Sequence, residues 1–183
     1  MPPKRRPPEA PLAETPDAVS MDLFDQPGHL LRRANQIAAG IFNDLVGPEI
    51  TPIQYAILRM VYEKPGIDQV GLARSIALDT STTALAAARL ATKGLIQRTV
   101  ADADRRQLQL TLTAQGETLL SSLVSGVHQM REKLLDALDP AEQEVFMSLL
   151  RKFVHIQNDQ SRAPMRAHGS LAPAAKPRKS RAV

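Results

Sequence analysis

The chain has 183 residues, 23 Lys and Arg against 19 Asp and Glu for a net charge of +4, and no cysteine. Disulfides, thiolate metal sites and a cysteine redox switch are therefore excluded. The length suffices for one domain with a proper core and is short for two.

No apolar run approaches the roughly 18 residues of a membrane span, and the first residues lack the apolar core of a signal peptide, so a cytoplasmic protein without membrane contact is expected. The charge is unevenly placed. Residues 1–20 balance three bases against three acids, whereas residues 162–183 hold six bases and no acid. The middle is slightly acidic, yet residues 70–111 carry six bases (Arg74, Arg89, Lys93, Arg98, Arg105, Arg106) against three acids (Asp79, Asp102, Asp104). A locally positive face on an acidic body suits phosphate contact.

In chain order, residues 1–22 hold six of the 14 prolines and few large apolar groups. They cannot bury enough surface to offset the entropy of ordering, and a disordered arm is expected. From residue 27 to about 46 a helix is predicted, with Leu30, Ala34, Ile37, Ala38, Ile41 and Leu45 forming one apolar stripe. Gly47-Pro48 stops it. Thr51-Pro52 starts a second helix, Thr51 as N-cap and Pro52 at the first helical position, with Ile53, Ala56, Ile57, Met60 and Val61 expected inside.

Residues 69–112 are the centre of the chain. Val70, Leu72, Ala73 and Ile76 mark a short helix, Ala77-Leu78-Asp79 a tight connection, and Thr80 to Lys93 a second helix: a helix-turn-helix. After Lys93-Gly94 the period changes. Leu108, Leu110 and Leu112 alternate with polar residues as in a half-buried strand, and Ile96 to Val100 is its partner. The loop between them holds Asp104, Arg105 and Arg106. A mainly α fold with a small β-hairpin wing, a winged helix-turn-helix, follows over residues 51–112.

Thr113 is placed to cap a long helix to about Leu138, in which Leu120, Leu123, Val127, Met130 and Leu134 repeat at steps of 3 and 4. That seam calls for a partner helix. Asp139-Pro140-Ala141-Glu142 is a capping box that opens a last helix, presenting Val145, Leu149, Phe153 and Ile156 before it fades near Ser161. Residues 162–183 are expected to be a disordered basic tail with salt-sensitive attraction to nucleic acid.

With these residues in view, the chain resembles the MarR family of bacterial transcriptional regulators over residues 27–159. LARSIALDTSTTALAAARLATKGLI followed by DADRRQLQLTLTAQG is similar to that family's helix, recognition helix, Lys-Gly stop, Asp-Arg-Arg wing and entry into the next helix. The resemblance implies a six-helix homodimer joined through helices at 27–47 and 113–160, within a domain of residues 23–161. It places two recognition helices on successive major grooves of a pseudo-palindromic double-stranded operator, about 34–36 Å apart. PGHLLRRANQ followed by ITPIQYAIL is similar to the branch of that family found beside aromatic-acid catabolic operons, which implies a repressor released by a small aromatic carboxylate.

In the recognition helix, Thr83, Ala86, Ala87 and Leu90 are expected inward, with Ser81, Ala84, Leu85 and Ala88 outward and Thr82 and Arg89 at the margins. Small and methyl-bearing groups can read thymine methyls while the hydroxyls of Thr80, Ser81 and Thr82 hold phosphate. Many relatives carry arginine where this chain has Thr80 or Leu85. Asp104 is expected to pair with a neighbouring arginine and set the wing, leaving Arg105 or Arg106 for a narrow minor groove. Arg32 or Arg33 is a candidate for bidentate contact with an effector carboxylate, with His29 one turn earlier; a surface salt bridge or phosphate contact explains the same pair. Catalysis has little support: His29, His128, His155 and His168 include no pair at metal-ligand spacing, and no Ser-His-Asp order sits on a recognisable strand-turn-helix sequence. No cofactor or metal is expected. Two further readings stand beside the ligand-released repressor: a constitutive DNA-binding regulator, and a dimeric protein-interaction module that keeps the helix-turn-helix only as packing.

Overall fold

The computed structural model describes residues 22–100 and 108–166, in two units that divide the chain into Met1–Ala38 and Ala39–Val183. In the first unit the Asp22 carboxylate accepts from the Phe24 amide and opens a short 3-10 turn, Leu23–Asp25. Helix α1 (Pro27–Val46) begins two residues later.

In the second unit, α1 ends at Gly47, whose φ of 102° is in the left-handed region. Its last turns bury Phe42, whose ring meets the edge of Tyr55 at 6.2 Å. Helix α2 (Pro52–Glu63) is opened by a capping box: the Thr51 amide donates to Gln54 Oε1 at 3.1 Å and the Gln54 amide to Thr51 Oγ1 at 3.2 Å. Its buried positions are Gln54, Ile57, Leu58 and Val61. Ile53, expected inside, is 39% exposed. The phase differs because Gln54 is committed to the cap and Leu58 is drawn into the helix-turn-helix core, which rotates the inner face by about one residue.

The two-residue strand β1 (Ile67–Asp68) leads into α3 (Gln69–Ser75), capped by Asp68, which accepts from the Val70 and Gly71 amides. Helix α4 (Thr80–Thr92) follows, then strands β2 (Ile96–Val100) and β3 (Leu108–Leu112). The sheet is antiparallel in the order β1-β3-β2, with Ile96 opposite Leu112 and Val100 opposite Leu108. The hairpin matches the alternation of leucines; β1 was not foreseen, because two residues carry no readable period. Leu110 is fully buried at the centre of the sheet, and Ile57, Leu58, Val61, Leu72, Leu90 and Thr83 close the core around it.

Helix α5 (Ala114–Leu135) ends one turn earlier than expected, where the Leu138 amide turns back onto the Leu135 carbonyl. Leu120 and Leu123 belong to the same core cluster as α2, α4 and the sheet. The first half of the predicted seam is thus spent inside the subunit, and the residues left for a partner lie farther along. Helix α6 (Pro140–Ile156) opens on the foreseen Asp139–Glu142 capping box. Residues 162–166, expected to be disordered, are instead bonded. Asn158 Oδ1 accepts from the Met165 amide at 2.8 Å, Arg166 pairs with Asp159 at 3.0 Å, and the Arg166 amide donates to the Arg74 carbonyl at 2.9 Å. Among the described residues no helix is long and apolar enough to cross a membrane.

Candidate nucleic-acid interface

The turn between α3 and α4 is built by two opposed end signals. At its start the Leu78 amide donates to the Ala73 carbonyl at 3.0 Å, with Ala77 held at φ 54°. That is the bond of a left-handed helix stop, here with alanine where glycine is favoured. At its end Asp79 caps α4: its carboxylate accepts from the Thr82 amide at 2.7 Å, from Ser81 Oγ at 2.6 Å and from Thr82 Oγ1 at 2.7 Å. These three donors hold the carboxyl well below the usual carboxylate range, the Ser81 hydroxyl foremost. The far end of α4 closes with the Gly94 amide on the Ala91 carbonyl and the Leu95 amide on the Leu90 carbonyl, the paired bonds of a Schellman stop with Gly94 at φ 71°.

Between these ends Thr83, Ala87 and Leu90 are buried and Ala86 is half-buried. Thr80, Ser81, Leu85 and Arg89 are exposed, and Thr82, Ala84 and Ala88 are half-buried at the edges. Ser81, Leu85 and Arg89 follow one another at four-residue steps, so they form one row on the outer face. The hydroxyl protons of Ser81 and Thr82 point to Asp79, which leaves outward lone pairs that accept hydrogen bonds. In this arrangement both hydroxyl protons are given to the capping carboxylate. Arg74 on α3 and Arg98 on β2 are also exposed. Asp104, Arg105 and Arg106 lie outside the described residues.

In the first unit, Arg32 Nη1 donates to Gln36 Oε1 at 3.0 Å and Arg32 Nη2 stands 3.5 Å from His29 Nδ1. The His29 ring meets Phe24 edge-on at 5.6 Å, and its Nε2 is buried without a protein partner among the described residues. Arg33 is exposed one position on, about 100° around the helix from Arg32, so only Arg32 and His29 are brought together. Among the described residues no cluster of three or more His, Cys, Asp or Glu could hold a metal.

Residues 50–108 match the model of the MarR family. Over 152 residues, 82% of this chain and 94% of the relative, the sequence is 32% identical to the HTH-type transcriptional repressor NicR of Pseudomonas putida. The chain belongs to the MarR family. Among solved structures, the PcaV transcriptional regulator from Streptomyces coelicolor in complex with its natural ligand superposes with a TM-score of 0.71 at 34% identity, covering 74% of this chain and 96% of PcaV. Bordetella bronchiseptica BpsR, whose DNA binding is regulated by 6-hydroxynicotinic acid, gives 0.69 at 30% identity, covering 73% of this chain and 96% of BpsR. The MarR frame identifies α3 and α4 as the helix-turn-helix, α4 as the recognition helix and the β2–β3 hairpin as the wing. The residue that sequence reasoning passed over is Asp79. Its signal was present as an Asp followed by four hydroxyl residues, Thr80 to Thr83, a helix opening with an Asp N-cap.

Proposed function

We propose that this protein is a homodimeric, sequence-specific DNA-binding repressor, acting in the cytoplasm without a cofactor or catalytic step, and released from a pseudo-palindromic operator by a small aromatic carboxylate. The observation that carries the reading is the exposed row Ser81–Leu85–Arg89 on the recognition helix of a MarR-family fold, beside the β2–β3 wing. Leu85, 56% exposed on a helix whose other face is core, suits thymine methyls. Thr80, Ser81, Thr82 and Ala84 complete the base-facing set, with Arg89 at its margin. Asp104 is assigned to pair with a neighbouring arginine, which leaves Arg105 or Arg106 for the flanking minor groove.

Dimerisation is supported by α6, where Val145, Leu149, Phe153 and Ile156 are 46–63% exposed in the single chain. Four large apolar groups on one helix face call for cover by a second copy. The effector is assigned to Arg32 and His29, with Arg33 beside them: a guanidinium for the carboxylate and an unpartnered ring nitrogen for a second polar group.

The test is a titration of the purified protein onto fragments upstream of its own gene at fixed salt, repeated with benzoates, hydroxycinnamates and hydroxylated pyridine carboxylates. Saturable binding reversed by one of these acids is the expected result. Absence of binding to any fragment would favour a protein-interaction role, and binding that no acid reverses would leave a constitutive regulator.

A further inference from the structure

A groove of about 730 Å³ lies in the second unit behind the recognition helix, between the end of α4, the segment before α2 and the first turns of α5. That volume is within the range of roughly 300–1,000 Å³ common to small-molecule sites. We propose that it is a second ligand site, separate from His29, Arg32 and Arg33, for a small hydroxylated aromatic monocarboxylate.

The chemistry of the lining sets the ligand class. Lys93, the C-cap residue of α4, brings the cation; its Nζ donates to the Glu49 carbonyl at 2.7 Å and keeps two protons to give. Ile50 and Leu95, each almost fully buried, and half-buried Leu119 supply apolar walls for a ring. Along α5, Thr118 Oγ1 donates to the Ala114 carbonyl at 2.9 Å and Ser122 Oγ to the Leu119 carbonyl at 2.7 Å. Both hydroxyl protons are thus used within the helix, and the oxygens are acceptors that suit a ligand hydroxyl. Glu49 is itself among the lining residues, and its negative charge disfavours a dianion or a phosphate, leaving a monoanion whose far end carries a donor.

The position gives the site a consequence. A carboxylate on Lys93 competes with the Glu49 carbonyl for the ammonium, and so loosens the link between the end of the recognition helix and the segment before α2. Such an anion acts on the DNA-reading element only through its unequal affinity for the tethered and untethered arrangements.

The experiment uses 4-hydroxybenzoate as the probe and calorimetric titration of the full chain without DNA, in an Arg32→Ala/Arg33→Ala background that removes the first site. One equivalent per subunit is expected to bind. Adding Lys93→Met is expected to weaken it at least about tenfold, and Lys93→Arg to keep it within about threefold. No binding at millimolar probe in the Arg32→Ala/Arg33→Ala protein, or equal affinity with Lys93→Met, overturns the proposal. The inference shares with the proposed function only the idea of an aromatic-acid ligand. Because the measurement contains no DNA, failure to bind an operator leaves its result intact, and an effector that acts solely through Arg32 leaves the repressor reading intact while this one falls.

Discussion

Ser81 Oγ donates to Asp79 Oδ1 at 2.6 Å, so a residue on the exposed row of α4 is fixed by the carboxylate that caps its own helix. The negative charge sits where the helix dipole favours it. Asp79→Ala is expected to lower the melting temperature clearly, and Asp79→Asn much less, because asparagine also caps. The depressed carboxyl gives the sign of the pH effect. The folded value lies below the unfolded one, so the stabilisation is complete above the ordinary Asp range and is lost as pH falls below it toward the folded value. Melts of the native protein and Asp79→Asn between neutral and strongly acidic pH should converge on the acid side; a constant gap would refute the assignment.

Arg89 is exposed in the last turn of α4. Arg89→Ala is expected to weaken operator binding by more than it lowers thermal stability. Arg106→Ala should reduce the slope of log affinity against log salt by about 1, the loss of one phosphate contact. Unchanged affinity and an unchanged slope, measured by titration across salt concentrations, would remove these residues from the interface.

The apolar face of α6 offers a test of assembly. Leu149→Glu with Phe153→Glu should shift the protein from dimer to monomer in sedimentation velocity and depress operator affinity with it, since one subunit holds only one half-site reader. A double variant that remains dimeric at micromolar concentration would place the interface elsewhere.

Gly126 of α5 packs directly on the end of α1: a Cβ there would collide with the Leu45 carbonyl. A backbone atom cannot swing aside as a side chain can. Gly126→Ala is therefore expected to cost about 1–3 kcal/mol of stability in denaturant unfolding. A cost near zero would show that the two helices separate freely.

Ala77 occupies a left-handed position that closes α3, and its φ of 54° costs a side chain about 1 kcal/mol. Ala77→Gly relieves that strain but adds freedom to the unfolded chain, so a net gain of about 0.5 kcal/mol is expected. Loss of stability in chemical denaturation would contradict the strain argument.

Helix starts were the most legible part of the sequence. Thr51-Pro52, Thr113 and Asp139-Pro140 each announce a cap by local chemistry, and all three caps are formed. The hairpin was legible because Leu110 needs one buried face and a strand supplies it at every second residue. Burial phase was harder. Ile53 and Leu58 are equally apolar, and only the tertiary neighbours of α2 decide that Leu58 turns inward. The same limit affects Leu120 and Leu123, whose spacing fits a partner helix and their own core alike. Within the candidate interface the exposed row could be read from helical period, but not the direction of the hydroxyl protons. That depends on Asp79 lying within hydrogen-bond reach of both Ser81 and Thr82.

Thr113 joins the end of α4 to the start of α5 through several short bonds. Its amide donates to the Leu95 carbonyl at 3.1 Å, its hydroxyl donates to the Gly94 carbonyl at 2.6 Å, and the same oxygen accepts from the Gly116 amide at 3.0 Å. Little slack is left at that joint, and Gly116 is too close to the Leu95 carbonyl to admit even a methyl group. A tilt of the long helix is accordingly carried to α4 like the swing of a lever arm, with no loose hinge between them to absorb it.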